Sequence, residues 1–120
     1  MKPTIDATRF GSITIAGETH ENDVIIRLNG EVKKRKKKLS KAVYGTSHMI
    51  SSDEARYIFE DGAEQLIIGT GQTGMVKLSD EAADYFKKHK CQVLLLPTPE
   101  AILKWNKSDG KIIALFHITC

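Results

Sequence analysis

Cysteine is almost missing from this chain: Cys91 and Cys120 are the only two in 120 residues. Two thiols make neither a disulfide framework nor a zinc cage, and the four histidines stand at no zinc spacing. No metal and no cofactor is therefore expected. Long apolar runs are missing too. None approaches the roughly 20 residues that a membrane-spanning helix needs. The opening Met1-Lys2-Pro3-Thr4-Ile5-Asp6 lacks the apolar stretch of a secretion signal. The expectation is a cytoplasmic protein without a membrane partner. At this length one α/β domain, residues 1–120, is large enough to bury a core without cross-links.

Charge of one sign is scarce everywhere but in one place. The net charge is +3, yet residues 33–41 hold seven Lys/Arg and no acid. The remaining chain has 11 basic residues against 15 acidic, or −4. This is a mildly acidic domain carrying one basic segment, not the smooth basic surface of a dedicated nucleic-acid binder. The segment comprises Lys33, Lys34, Arg35, Lys36, Lys37, Lys38 and Lys41. It lacks interleaved aromatics for base stacking, with only Tyr44 nearby. An exposed edge that blocks strand addition is the expected role. Nucleic acid is disfavoured as a partner; the partner is otherwise unknown, with a small anionic ligand or a protein as the candidates.

The N-terminal third reads as an antiparallel meander. Ser12-Ile13-Thr14-Ile15 alternates, His20 to Asp23 reads as a hairpin turn, and Asp23 to Leu28 is a second strand. Asn29-Gly30 is a strong hairpin turn into Glu31-Val32. From Ser51 the pattern changes. Ser51 and Glu54 match a capping box, with Ala55, Ile58 and Phe59 on one helix face and Gly62 closing it. Leu66-Ile67-Ile68 reads as a buried strand. Ser79 caps a second helix that has Asp80 and Glu81 in its first turn. Val93 to Leu96 reads as a strand covered on both faces. Thr98 caps a third helix with Pro99 at its first position, and residues 112–119 form a last strand. Strands near 66–68, 93–96 and 112–118 should be mutually parallel through right-handed crossovers. The fold class is α/β: a mixed central sheet with antiparallel N-terminal strands, parallel C-terminal strands and about three helices.

Gly69-Thr70-Gly71-Gln72-Thr73-Gly74 fits the letters of the dinucleotide fingerprint. That fingerprint makes two demands which this chain does not meet. Met75-Val76-Lys77-Leu78 separates the loop from the next helix, and no acid ends the next strand to hold a ribose. No Gly-Lys-Ser/Thr follows either, which excludes a phosphate-binding P-loop. A narrower expectation remains. The loop and the helix at Thr98 lie on one edge of the sheet, at strand C-terminal ends, where ligands of open α/β sheets bind. Backbone N–H groups of Gly69 to Gly74, with Thr98, would then cradle a small anion. His48 and His117 are the candidate acid–base groups nearby. Alternation places His117 and Thr119 on one strand face and Phe116, Ile118 and Cys120 on the other, which argues against a Cys–His dyad. His117 is expected as a satisfied core histidine, Cys120 as a small apolar residue, and His48 as a loop hydrogen bonder.

Phe10-Gly11-Ser12, Gly45-Thr46-x-His48, Leu66-Ile67-Ile68-Gly69-x-Gly71 and Tyr85-x-Lys87-Lys88-His89 stand along the chain, followed by Thr98-Pro99-x-Ala101, Asn106 and Phe116-His117-x-Thr119-Cys120. On these motifs the chain resembles a small family of mostly uncharacterised domains. That family includes archaeal proteins, a mammalian adipogenesis-associated protein and a mitochondrial complex I assembly factor. The resemblance covers nearly all of the chain. It implies a compact α/β domain with a mixed sheet and no established catalytic residues. Relatives keep Gly69 and Gly71 but not reliably Gly74, and the assembly-factor branch lacks the His–Thr–Cys ending. The leading expectation is a non-catalytic binding or interaction domain with a small-anion crevice at the Gly69–Gly74 loop. The alternatives are a small-molecule enzyme using that crevice, and a nucleic-acid or anionic-surface binder acting through residues 33–41.

Overall fold

The computed structural model describes residues 2–120. Three short strands open it: β1 (Ile5–Arg9), β2 (Ser12–Ile15) and β3 (Glu18–His20). They form a separate antiparallel sheet in the order β1-β2-β3. Next come β4 (Val24–Ile26) and β5 (Val32–Lys34), a hairpin closed by Gly30 in a left-handed conformation. The chain continues as α1 (Lys38–Tyr44), β6 (Met49–Ile50), α2 (Ser52–Ile58), β7 (Gln65–Thr70) and β8 (Lys77–Leu78). It ends with α3 (Asp80–Lys88), β9 (Gln92–Leu96), α4 (Thr98–Lys107) and β10 (Ile112–His117).

The central sheet runs β5-β4-β10-β7-β9. β7 is parallel to both β10 and β9, while β4 is antiparallel to β10 and to β5. The mixed α/β architecture follows the sequence expectation, as do the three parallel strands. β7 and β10 lie at the centre because their apolar runs can be buried on both faces. Ile112, Ala114 and Phe116 join Ile67, Trp105 and the N-terminal strands on one face. Ile113 and Leu115 join Leu66, Ile68, Ala55 and Phe86 on the other, beneath α2 and α3.

Several expectations need correction. Among the described residues there are four helices, because the second half of the basic run opens α1. Ser40 is the only buried residue of α1, so no apolar stripe advertised it. The segment His20 to Asp23 is no hairpin turn. It carries the chain from the small sheet to the central one, since β3 pairs with β2 and β4 with β10. The run 93–96 has a core on each face, with Val93 packed on one and Leu96 on the other, but it is an edge strand and Leu95 is exposed. The first predicted helix ends at Ile58, short of Gly62. Thr98 is not a cap: it is the first residue of α4, and Pro97 occupies the cap position.

Candidate functional site

The fold gathers the glycine loop, Thr98, His117 and His48 at the C-terminal edge of β7, as the parallel topology requires. The Gly71 N–H donates to Thr98 Oγ1 at 2.9 Å, and that hydroxyl donates to the His117 carbonyl at 2.6 Å. The His48 and His117 rings meet edge to face, 5.5 Å apart. His48 keeps a loop role: its N–H donates to Thr46 Oγ1 and its carbonyl accepts from the Lys77 N–H.

The loop N–H groups do not converge on an open point. The Gln72 N–H donates to Thr119 O at 2.7 Å, Met75 to Cys120 O at 3.1 Å, Gly74 to Gly71 O at 3.2 Å and Val76 to Thr70 O at 3.0 Å. The Thr73 hydroxyl also donates to Cys120 O. Residues 119 and 120 therefore take the place that an anion was expected to fill. Gly69 and Gly71 are required by this close packing. A Cβ on Gly71 would stand 2.3 Å from the Cys120 carbonyl carbon, and one on Gly69 would stand 2.7 Å from the Phe116 ring. What stays open beside the loop is a groove of about 610 Å³, lined by Thr70, Thr73, Gly74, Lys77, Leu95 and Pro97 among others.

The denser chemistry lies elsewhere and was missed in the sequence. Arg35, expected on the surface, is only 3% exposed. Its Nε donates to Glu54 Oε2 at 2.6 Å and its Nη2 to Glu54 Oε1 at 3.0 Å, a bidentate pair. Nη1 reaches Asp23 Oδ2 at 2.9 Å, and Nη2 also reaches the Ser47 carbonyl at 2.8 Å. Glu54 accepts from Ser40 Oγ as well. Half of the predicted capping box exists: Ser51 Oγ accepts the Glu54 N–H. The returning half does not, because the Glu54 carboxylate is drawn to Arg35 and the Ser51 N–H donates to Ser40 Oγ instead.

Asp23 links this hub to the C-terminal segment. Its Oδ1 accepts the Ile118 N–H at 3.0 Å, and its Oδ2 lies 2.6 Å from His117 Nδ1. Burial alone would raise the Asp23 carboxyl. The hydrogen bonds from His117 and Ile118, with the charges of His117 and Lys37, bring it down to about 2. Burial likewise opposes the Arg35 charge, and Glu54 and Asp23 overcome it, holding the guanidinium above its ordinary range. His117 Nε2 lies 3.1 Å from Thr119 Oγ1, so the two do share a face. Cys120 is exposed rather than packed in the core. Cys91 is buried, and burial pushes its thiol up to about 11.

With Arg35 turned inward, the lysines on either side of it turn outward. Lys33, Lys34, Lys36, Lys37 and Lys38 line one cleft of about 730 Å³, with Asn22, Asp23 and Tyr57. Two of these ammonium groups are held in place. Lys36 Nζ sits 4.5 Å from the centre of the Tyr57 ring, and Lys37 Nζ lies 3.6 Å from Asp23 Oδ2. Lys41 lies exposed on α1, outside this set. Among the described residues no three His, Cys, Asp or Glu side chains gather as a metal cage.

Comparison with known proteins places this geometry in a family. Residues 5–117 match the family model described as "Protein of unknown function (DUF498/DUF598)", and the chain belongs to that family. Its fold is similar to that of the conserved hypothetical protein PH1505 from Pyrococcus horikoshii OT3. The two are 31% identical with a TM-score of 0.89, over 98% of this chain and 99% of that one. A protein named MT938 is 30% identical with a TM-score of 0.83, over 99% of this chain and all of that one. A Bordetella pertussis protein described as an Mth938-like domain shares the fold at 14% identity. Its TM-score is 0.70, over 97% of this chain and 85% of that one.

Proposed function

We propose that this member of the family is a non-catalytic, cytoplasmic binding module whose ligand is a small anion carrying phosphate or carboxylate groups. The ligand surface is the lysine cleft rather than the Gly69–Gly74 loop. One observation carries this reading: five lysines line a single cleft, and two of them are pre-positioned by Tyr57 and Asp23. The Arg35–Glu54–Asp23 hub beneath gives the cleft a rigid floor, since a fully paired buried network has few alternative arrangements. Nucleic acid remains the disfavoured partner. The rest of the chain is net negative and repels a phosphate backbone, and the cleft offers a single aromatic, already covered by Lys36.

An amide NMR titration with inorganic pyrophosphate tests the proposal. Resonances of residues 33–38 and Tyr57 should shift together, and replacing the five cleft lysines by serine should abolish the shifts. Shifts that persist in that variant, or that centre on Gly69–Gly74, would return the site to the loop. A parallel titration with single-stranded DNA should give only weak binding that fades near physiological salt.

A second reading has its own observation. Asp23, His117 and the Thr119 hydroxyl form a continuous hydrogen-bonded chain, the arrangement by which a base is oriented and a hydroxyl is polarised. It makes His117 the acid–base group of a small-molecule enzyme. Incubation with a fluorophosphonate followed by peptide mass mapping decides it. Labelling at Thr119 that His117→Ala removes would support the enzyme; an unlabelled chain would leave the binding module.

A further inference from the structure

The central sheet ends in two edges of opposite character. At one, β5 is only three residues long and carries the exposed Lys33 and Lys34. Charged side chains on a short edge strand prevent another strand from adding. At the other, β9 is five residues long, Gln92-Val93-Leu94-Leu95-Leu96, with no charge at all. Leu95 is 41% exposed there. The device that protects one edge is missing from the other.

Backbone direction defines what the open edge offers. The Gln92 N–H donates to the Glu64 carbonyl, toward β7. N–H and C=O of a strand residue point to the same side and alternate along the strand, so those of Leu94 and Leu96 also face β7. Those of Val93 and Leu95 face outward. Leu95 shares a groove with Ala83 of α3, and Leu94 lies beside Lys104 of α4. The edge therefore has an α3 face and an α4 face.

The charges of these two helices select the occupant. Both helices are crossovers that run antiparallel to the strand. Both have acids in the first turn, near the C-terminal end of β9: Asp80 and Glu81 on α3, and Glu100 on α4. Both have bases in the last turn, near the N-terminal end of β9: Lys87 and Lys88 on α3, and Lys104 and Lys107 on α4. Helical spacing puts Asp80 and Lys87 on the same side of α3 as Ala83, and Glu100 on the same side of α4 as Lys104. An antiparallel copy of this edge places acid opposite base on both faces. A parallel copy places like charges together.

We infer that the chain forms a symmetric dimer by antiparallel pairing of β9 with β9 of a second copy, about a twofold axis at Leu94. Val93 then exchanges both backbone hydrogen bonds with the partner's Leu95, and Leu95 with the partner's Val93. Leu94 meets the partner's Leu94 on the α4 face at the closer, non-hydrogen-bonded spacing. Glu100 faces the partner's Lys104, and Asp80 faces the partner's Lys87. The contact is isologous and closes on itself, so it ends at two copies instead of growing into a fibre.

Sedimentation velocity of the full chain, from about 1 µM to about 300 µM, tests the proposal together with hydrogen exchange at both ends of that range. A dimer should populate with concentration, and the Val93 and Leu95 amides should gain protection with it. Leu95→Lys places a charge at an already exposed position and should weaken dimerisation by about tenfold or more. Its circular dichroism melt checks that the fold persists. Lys104→Glu should weaken the dimer, and the exchanged pair Glu100→Lys with Lys104→Glu should restore it. A chain still monomeric at the top concentration overturns the inference. So does a dimer indifferent to Leu95→Lys, or an edge that protects Val93 and Leu95 only when an unrelated extended peptide is added.

Discussion

The Gly69–Gly74 loop and the basic run of residues 33–38 are both short, both distinctive in composition, and both suited to anions on paper. The fold treats them in opposite ways. In the loop, donors that a ligand could use are consumed by the chain itself, and Gly71 is there because residue 120 passes against it. In the basic run, one residue of six is withdrawn into a buried hub, and the rest are left facing a cleft. A glycine motif reports that something comes close to the backbone, and here that something is the chain's own C-terminal segment. A run of like charge reports solvent, unless the topology has placed carboxylates beneath it.

Breaking the hub should have the largest effect. Glu54→Ala leaves Arg35 without its bidentate partner and should destabilise the chain by about 3–5 kcal/mol in urea denaturation. A loss below about 1 kcal/mol would mean that water reaches the guanidinium, and the contrast between Arg35 and its neighbours would collapse.

The loop comes next. Gly71 has φ of +109° and no room for a Cβ, so Gly71→Val should cost about 3 kcal/mol. Gly74 also has positive φ, but a Cβ there meets only ordinary contacts at 3.6 Å or more. Gly74→Ala should cost nearer 1 kcal/mol. Equal losses at the two positions would remove the close approach of residue 120 as the reason for Gly71.

Acid sharpens the link between the regions, because Asp23 touches both. Its folded pKa of about 2 lies below the unfolded value of 3.8. The stability it supplies is therefore fully present above pH ~4 and is lost as pH falls toward ~2. The loss is on the order of 2 kcal/mol. Urea midpoints followed through that window should fall more steeply for the wild type than for Asp23→Asn.

The smallest effect belongs to the exposed lysines. Replacing Lys33, Lys34 and Lys38 by serine should change stability by about 0.5 kcal/mol or less in the same denaturation assay, while the pyrophosphate titration weakens. A larger stability change would show that the cleft walls carry structural load.

Much of the frame was legible. Apolar runs marked β7 and β10, Ser79 marked the start of α3, and alternation correctly put His117 and Thr119 on one side. What escaped was long-range. Glu54 read as half of a capping box, because the local signal for that role is strong; its true partner lies 19 residues earlier in sequence. Asp23 read as part of a turn, yet it contacts His117, 94 residues away. Thr98 read as a cap, but its hydroxyl ties Gly71 to His117. β9 read as covered on both faces, but four apolar residues in a row do not say whether a strand lies on each side, and β9 is an edge strand.

The sequence alone determined the α/β class, the parallel direction of the C-terminal strands and the placing of the loop and Thr98 on one edge. These follow from periodicity, crossover handedness and the spacing of helix signals, all of which are local or topological. Only the tertiary structure decided that the loop is filled from within, that Arg35 is buried among carboxylates, and that the sheet has one guarded and one open edge. Those outcomes depend on which distant groups meet, and on buried polar groups having to find partners wherever the fold brings them.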